Sequence, residues 1–179
     1  MKTKIKVTLA MVVSLDGKST NGKFKNQEWS SREDQNHFQF LIASNNLIIM
    51  GRKTYEAAKP VIRLQEGKLR IVLTKDPEKF KNSTIAGQLE FSKESPLALL
   101  ERLAKSGYKK MLLVSGSTVN TLFFKAKLID EIWLTVEPRI FGLGKSIVDN
   151  TELDVQLFLE STEKLNENGT LLLKYKVVK

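Results

Sequence analysis

Cysteine is absent from the 179 residues, and histidine occurs once, as His37. The first absence excludes disulfides, thiolate metal sites and cysteine nucleophiles. The second weakens any multi-histidine metal centre or His-based triad, and together they exclude the His/Cys zinc site of nucleobase deaminases. No metal is therefore expected. No apolar run approaches the ~20 residues of a membrane span, so no membrane association is expected. The segment Met1-Lys2-Thr3-Lys4-Ile5-Lys6-Val7 has neither a long apolar core nor a small-residue cleavage site, unlike a signal peptide. A cytoplasmic location is the default expectation.

Hydrophobic residues make up 41% and charged residues 27%, as in an ordinary globular protein, and the length suits one domain over 1–179. The formal net charge is +9. Such a charge suits nucleic acid, or equally an anionic cofactor or substrate. The lysines are spread along the chain with no basic block and no aromatic–basic interleaving. That distribution argues for a small anionic partner and against nucleic acid.

Apolar segments alternate with helical patterns. Strands are expected at Lys4 to Val13, Leu47 to Met50, Arg70 to Thr74, Leu89 to Phe91, Met111 to Val114 and Glu131 to Glu137. Helices are expected at Ser30 to Ala43, Thr54 to Lys59, Leu97 to Ser106 and Thr118 to Ala126. Ser30 would cap the first, with Glu33 completing a capping box. The last would bury Val119, Leu122, Phe123 and Ala126. Lys18 to Gln27 reads as a polar loop. Val155 to Leu165 and Thr170 to Val178, joined by Asn-Glu-Asn-Gly, read as a hairpin. Short apolar strands alternating with helices predict an α/β fold, a mainly parallel sheet covered on both faces with an antiparallel hairpin added at its edge.

Three strand ends carry phosphate-binding chemistry. The run Leu47-Ile48-Ile49-Met50 ends in Gly51-Arg52-Lys53-Thr54, which brings a glycine, two cations and a helix start to one point. Helix N-termini present free N–H groups and partial positive charge, which favour phosphate. A second strand ends in Thr74-Lys75 before an Asp-Pro turn. A third enters Ser115-Gly116-Ser117-Thr118 and opens a helix. Each also reads as an ordinary turn. In a parallel sheet, however, all three lie on one rim, where ligands bind. No Gly-x-Gly-x-x-Gly follows the first strand and no Walker A loop is present.

Asp34, Phe38 and Leu41 fall at i, i+4 and i+7, so a carboxyl shares the apolar face of its helix. It would hold a polar substrate edge or supply a proton, or else serve the helix dipole. Ser14-Leu15-Asp16-Gly17-Lys18 ends the first strand. Asp16 and Lys18 would form a polar wall beside a ligand, unless the Asp-Gly pair serves only the turn. Trp29 would cover a planar ring or staple the helix. Phe141-Gly142-Leu143-Gly144-Lys145 reads as an ordinary flexible loop, or as a phosphate contact, since its two glycines permit an unusual backbone path.

Taken in order, these pieces resemble the dihydrofolate-reductase-like superfamily, and within it the reductase domain at the C-terminus of the bifunctional riboflavin-biosynthesis protein RibD. The matching residues are Val13 to Lys18, Trp29 to Asp34, Gly51 to Glu56, Val72 to Thr74, Val114 to Ser117, and Leu128 to Glu131 through Pro138 to Lys145. The resemblance implies a three-layer α/β/α fold, NADPH as hydride donor and a homodimer. By that resemblance Gly51, Arg52, Lys53, Thr54, Thr74 and Lys75 hold the adenosine phosphates. Ser115, Gly116, Ser117 and Thr118 hold the pyrophosphate and ribose. Ser14, Asp16, Lys18, Trp29, Ser30 and Asp34 face the substrate, with Asp34 or Asp16 orienting the acceptor or relaying a proton.

The chain departs from riboflavin reductases at three places. The third turn lacks Gly-Gly, Phe40 to Ala43 lacks an arginine, and Ala57-Ala58-Lys59-Pro60 keeps only the proline. The implied activity is hydride transfer to an aminopyrimidine linked to ribosyl phosphate. A dihydrofolate or pterin reductase is the alternative, since Gly-Arg-Lys-Thr-Tyr-Glu leans that way. A nucleotide-binding protein without catalysis and a basic nucleic-acid-binding protein are the readings from other classes.

Overall fold

The computed structural model describes residues 5–21 and 29–179. Part of the loop expected over Lys18 to Gln27 and the first residue of the expected opening strand lie outside the described residues. Eight strands form one sheet: β1 (Lys6–Ser14), β2 (Leu47–Gly51), β3 (Leu69–Leu73), β4 (Leu89–Ser92), β5 (Lys110–Leu113), β6 (Glu131–Glu137), β7 (Leu157–Lys164) and β8 (Leu171–Val177). Their order is β4-β3-β2-β5-β1-β6-β8-β7. The first six in that order run parallel, and β8 and β7 add the antiparallel hairpin. The helices are α1 (Arg32–Ser44), α2 (Arg52–Ala58), α3 (Pro96–Lys105) and α4 (Ser117–Lys125). A 3-10 helix over Pro77–Ser83, not anticipated from the sequence, follows the Asp-Pro turn.

Successive strand residues point to opposite faces, and both faces are buried. Leu9, Ile49, Ile71, Met111 and Leu113 face α3 and α4, where Leu99, Leu103, Phe123 and Phe124 pack on them. Ala10, Ile48, Met50, Val72 and Leu112 face α1 and α2, which contribute Leu41 and Tyr55. This is the expected three-layer α/β/α architecture. Burying a side chain as fully as Phe123 contributes roughly 1.5–3 kcal/mol.

Two helices differ from the sequence expectation. The N-cap of α1 is Ser31, not Ser30: its hydroxyl accepts from the Asp34 N–H at 3.2 Å. In α4 the buried residues are Ser117, Asn120, Thr121, Phe123 and Phe124; Val119 is half-buried, and Leu122 and the C-cap Ala126 are exposed. The helix is rotated because Asn120 is anchored inward at both ends of its amide. Its Oδ1 accepts from the Ser115 hydroxyl at 2.5 Å, and its Nδ2 donates to the Ile147 carbonyl at 2.8 Å.

The C-terminus of α1 has no basic residue in its own last turn. Lys68, just before β3, and Lys110 on β5 replace it. Lys68 Nζ donates to the Ile42 and Ala43 carbonyls, and Lys110 Nζ donates to the Ser44 carbonyl at 2.9 Å. These carbonyls have no partner within the helix, and a cation there also complements the dipole. Among the described residues no helix is long and apolar enough to cross a membrane. Lys68→Met should lower the unfolding free energy by about 1 kcal/mol. Urea titration checks this, and an unchanged midpoint would remove the cap assignment.

Candidate functional site

The parallel strands deliver their C-terminal ends to one rim. Backbone register fixes the order along it. Gly51 pairs with Leu73, so the Thr74–Lys75 turn lies beside the start of α2. The Val114 N–H bonds the Ile49 carbonyl at 2.9 Å, which places Ser115 and Gly116 on the other side of β2. Gly51 has little room for a side chain: a Cβ there would stand 3.0 Å from Cγ2 of Val119 in the first turn of α4. The first and third turns are therefore packed against each other, and the second adjoins the first.

Neither Gly51 nor Gly116, the N-caps of α2 and α4, supplies a side-chain cap, so the first-turn N–H groups lack that partner. Lys53 and Lys75 are exposed beside them. Arg52 Nη1 donates to both Glu56 carboxylate oxygens at 2.7 Å. That pair is solvent-exposed and worth little, so an incoming phosphate can take the guanidinium. Thr74 Oγ1 accepts from the Asp76 N–H at 3.3 Å. The Ser115 hydroxyl is committed to Asn120, so Ser115 braces its turn with its side chain. Asp149 also lies at the start of α4. Its N–H donates to Thr121 Oγ1 at 2.9 Å, and its Oδ1 accepts from Thr118 Oγ1 at 3.4 Å. The Ser117 hydroxyl, the Thr118 hydroxyl and Lys145 hold the Asp149 carboxyl below its usual range.

The loop after β1 forms the next part of the rim. Asp16 is saturated: Oδ1 accepts from the Ser14 hydroxyl at 2.6 Å and the Phe141 N–H at 3.0 Å, and Oδ2 accepts from the Gly142 N–H at 2.7 Å. Its geometry is that of an anchor. Lys18 Nζ donates to Ser146 Oγ at 3.1 Å. The 141–145 segment is not the free loop its glycines suggested. The Ser19 N–H bonds the Lys145 carbonyl at 2.7 Å, and the Lys145 N–H bonds Thr20 Oγ1 at 3.1 Å. Gly144 crosses so close to the Thr20 carbonyl that a Cβ would lie 1.6 Å from its oxygen. Trp29 is buried and meets Phe141 edge-on at 4.9 Å.

The buried carboxyl predicted on α1 is present. Asp34 is 6% exposed, and burial pushes its carboxyl above the usual range; the Thr135 and Ser30 hydroxyls work against that shift, and the charge of Glu137 adds to it. Sequence reasoning missed Glu137, Thr135 and Thr170. Their signal was the alternation in β6, which puts Trp133, Thr135 and Glu137 on one face. Glu137 is 4% exposed; it accepts from the Ser31 N–H at 2.7 Å and the Thr170 hydroxyl at 2.7 Å. His37 stacks on Trp133 at 5.8 Å, one turn along α1. The rim thus joins the three turns after β3, β2 and β5 to a buried acid cluster at β6. A separate cleft lined by Lys6, Asp130, Glu131, Lys176 and Val177 belongs to the other end of the strands.

Comparison with known proteins agrees with this architecture. Residues 5–171 match the RibD C-terminal domain family. The uncharacterized protein YwjB of Bacillus subtilis is 26% identical over 167 residues, covering 90% of this chain and 93% of its own. A pyrimidine reductase-like protein of Corynebacterium diphtheriae superposes with a TM-score of 0.80 at 14% identity, covering 99% of this chain and 93% of that one. A diaminohydroxyphosphoribosylaminopyrimidine deaminase/5-amino-6-(5-phosphoribosylamino)uracil reductase of Thermotoga maritima superposes with a TM-score of 0.75 at 15% identity; 99% of this chain covers 58% of that protein.

The hydrogen bonds to Asp16, led by that from Ser14, hold its carboxyl down to about 2 from 3.8. A depressed carboxyl contributes stability that is present above its unfolded pKa and lost as pH falls through its folded value. The Phe141 and Gly142 amide chemical shifts should therefore move together with a midpoint near pH 2, where Asp16 takes its proton in the folded protein. Amides that respond only above pH 5 would show that Asp16 is not their anchor.

Proposed function

We propose that this chain, which belongs to the RibD C-terminal domain family, is an NADPH-dependent reductase of a heterocyclic substrate. A riboflavin-pathway aminopyrimidine bearing a ribosyl phosphate is the first candidate. The observation that carries this reading is the placement of three phosphate-binding turns on the same rim as a buried carboxyl. The names borne by the Corynebacterium and Thermotoga proteins support it.

The residues fit the cofactor. Two glycine-capped helix starts offer backbone N–H groups to phosphate. Arg52, Lys53 and Lys75 offer cations where the adenosine phosphates would lie, and charge-assisted bonds there favour the extra phosphate of NADPH over NADH. A diphosphate that takes the Ser117 and Thr118 hydroxyls displaces the Asp149 carboxylate from them. When bound, the reduced nicotinamide supplies hydride. The remaining work falls to this chain. Trp29 and Phe141 wall the substrate end. Asp34, raised above the usual carboxylate range by burial, is suited to hold a proton beside the acceptor. Asp16 keeps the 141–142 backbone in place. The Gly-Arg-Lys-Thr-Tyr-Glu form of the first turn supports a second reading with dihydrofolate or a pterin as acceptor, and the acceptor that consumes NADPH decides between the two.

The Arg52→Ala/Lys75→Ala double variant should weaken NADPH binding by about tenfold or more while changing NADH binding by less than about twofold, read by cofactor fluorescence. Equal losses for both cofactors would sink the assignment. A homodimer is proposed on the same reading. It is supported by the edge strand β7, where Leu157, Phe158 and Leu159 are exposed, Phe158 by 63%. Sedimentation equilibrium should give twice the chain mass, and less for Phe158→Lys; a monomeric wild type at tens of micromolar overturns it.

A further inference from the structure

We propose that Glu137 is a positioning residue for Asp34: its carboxylate ties the first turn of α1 to β6 and β8 and holds Asp34 as the acid of the site. The inference rests on the reductase reading only for the task given to Asp34.

The geometry is a chain of contacts across two layers. Glu137 Oε1 accepts from the Ser31 N–H at 2.7 Å, and the Ser31 hydroxyl in turn accepts from the Asp34 N–H at 3.2 Å. Glu137 therefore fixes the residue that caps the turn carrying Asp34. On its other side Oε2 accepts from the Thr170 hydroxyl at 2.7 Å. Asn166 holds Thr170: its Nδ2 donates to Thr170 Oγ1 at 3.0 Å and its Oδ1 accepts from the Thr170 N–H at 3.1 Å. Asn166 Nδ2 also lies 3.0 Å from Glu33 Oε2 on α1. The hairpin and the helix start are thus joined through Glu137.

A purely structural brace does not require charge. The Thr170 hydroxyl can accept as well as donate, so glutamine at 137 would satisfy both neighbours. What glutamine would remove is a buried negative charge whose partners, among the described residues, are two neutral donors. Such a charge is costly, and a neutral replacement is often no less stable. Its effect falls on Asp34. Among the described residues, Glu137 on β6 and Glu33 and His37 on α1 are the titratable groups closest in the fold to the turn carrying Asp34, with Lys174 on β8 and Glu163 on β7 acting on His37. Glu33 is turned to Asn166, and Lys174 lies over the Trp133 ring. Glu137 is the neighbour whose charge reaches Asp34, and it favours the protonated carboxyl.

The step this serves is balanced. The acceptor's carbon gains hydride from the dihydronicotinamide, which is oxidised. The π pair of the C=N or C=O bond moves to the heteroatom, which takes the Asp34 proton. Asp34 then regains a proton from solvent.

The test is a 13C titration of side-chain carboxyls in the ligand-free protein, with Asp34 assigned by its loss in Asp34→Asn. The Asp34 midpoint should lie above the ordinary carboxylate range. It should fall in Glu137→Gln, and return most of the way in Glu137→Asp, which keeps the charge. An Asp34 midpoint unmoved by Glu137→Gln overturns the inference. Should that variant not fold, the wild type decides. An Asp34 midpoint above the ordinary carboxylate range supports the inference, and one within that range overturns it. Turnover of aminopyrimidine or pterin acceptors is scored separately. Absent turnover with the titration intact counts against the reductase reading and leaves the Glu137–Asp34 coupling standing.

Discussion

Two buried carboxyl groups within one hydrogen-bonded cluster, Asp34 and Glu137, set the condition that the surrounding structure must meet. A buried ion without partners costs several kcal/mol, so each oxygen needs a donor. Glu137 finds one in the backbone of Ser31 and one in the hydroxyl of Thr170. Those partners come from opposite ends of the chain. The N-terminal helix and the C-terminal hairpin are therefore held in register by a polar group rather than by apolar packing alone. Asp34 meets the condition in another way, by favouring its neutral form. A carboxyl raised above its unfolded value stabilises the fold below that value and loses the contribution as pH rises through the folded one. The stabilising contribution of Asp34 is therefore one that rising pH removes.

The end of the rim formed by the turns after β2, β3 and β5 follows the opposite logic. Its cations are exposed, and the pair between Arg52 and Glu56 is the kind that solvent screens. What is fixed there is the backbone. Register sets Gly51 beside Leu73, and the contact between Gly51 and Val119 sets α2 beside α4. A rigid frame carrying weakly held cations suits an anion that must arrive and leave.

Much of this was legible in the sequence, for identifiable reasons. Buried parallel strands are short apolar runs, and here each is closed by glycine, serine or charge, so β2, β5 and β6 were placed to within a residue. Asp34 stood out because its helix is otherwise apolar on that face. The choice between Ser30 and Ser31 as cap was not legible. Both are serines, and the decision is made by Glu137, 106 positions away. The face of α4 was misjudged for the same kind of reason. Period alone favours Leu122, yet Asn120 must turn inward to meet Ser115 and Ile147. The glycines of 141–145 signalled a loop but not its anchor, because nothing local shows that Asp16 and Thr20 lie against it. In each case a long-range polar contact overrode a sound local preference.

The strand order has a consequence for synthesis. β1 is the first strand made, yet its ladder partners are β5 and β6, which begin at Lys110 and Glu131. Val7, Leu9, Ala10, Val12 and Val13 therefore have no sheet to enter until more than a hundred further residues have left the ribosome. At translation rates of roughly 5–20 residues per second, that interval lasts on the order of 5–20 seconds. Of the strands in this sheet, β1 therefore waits longest for its neighbours, and its apolar face is the one longest without a partner.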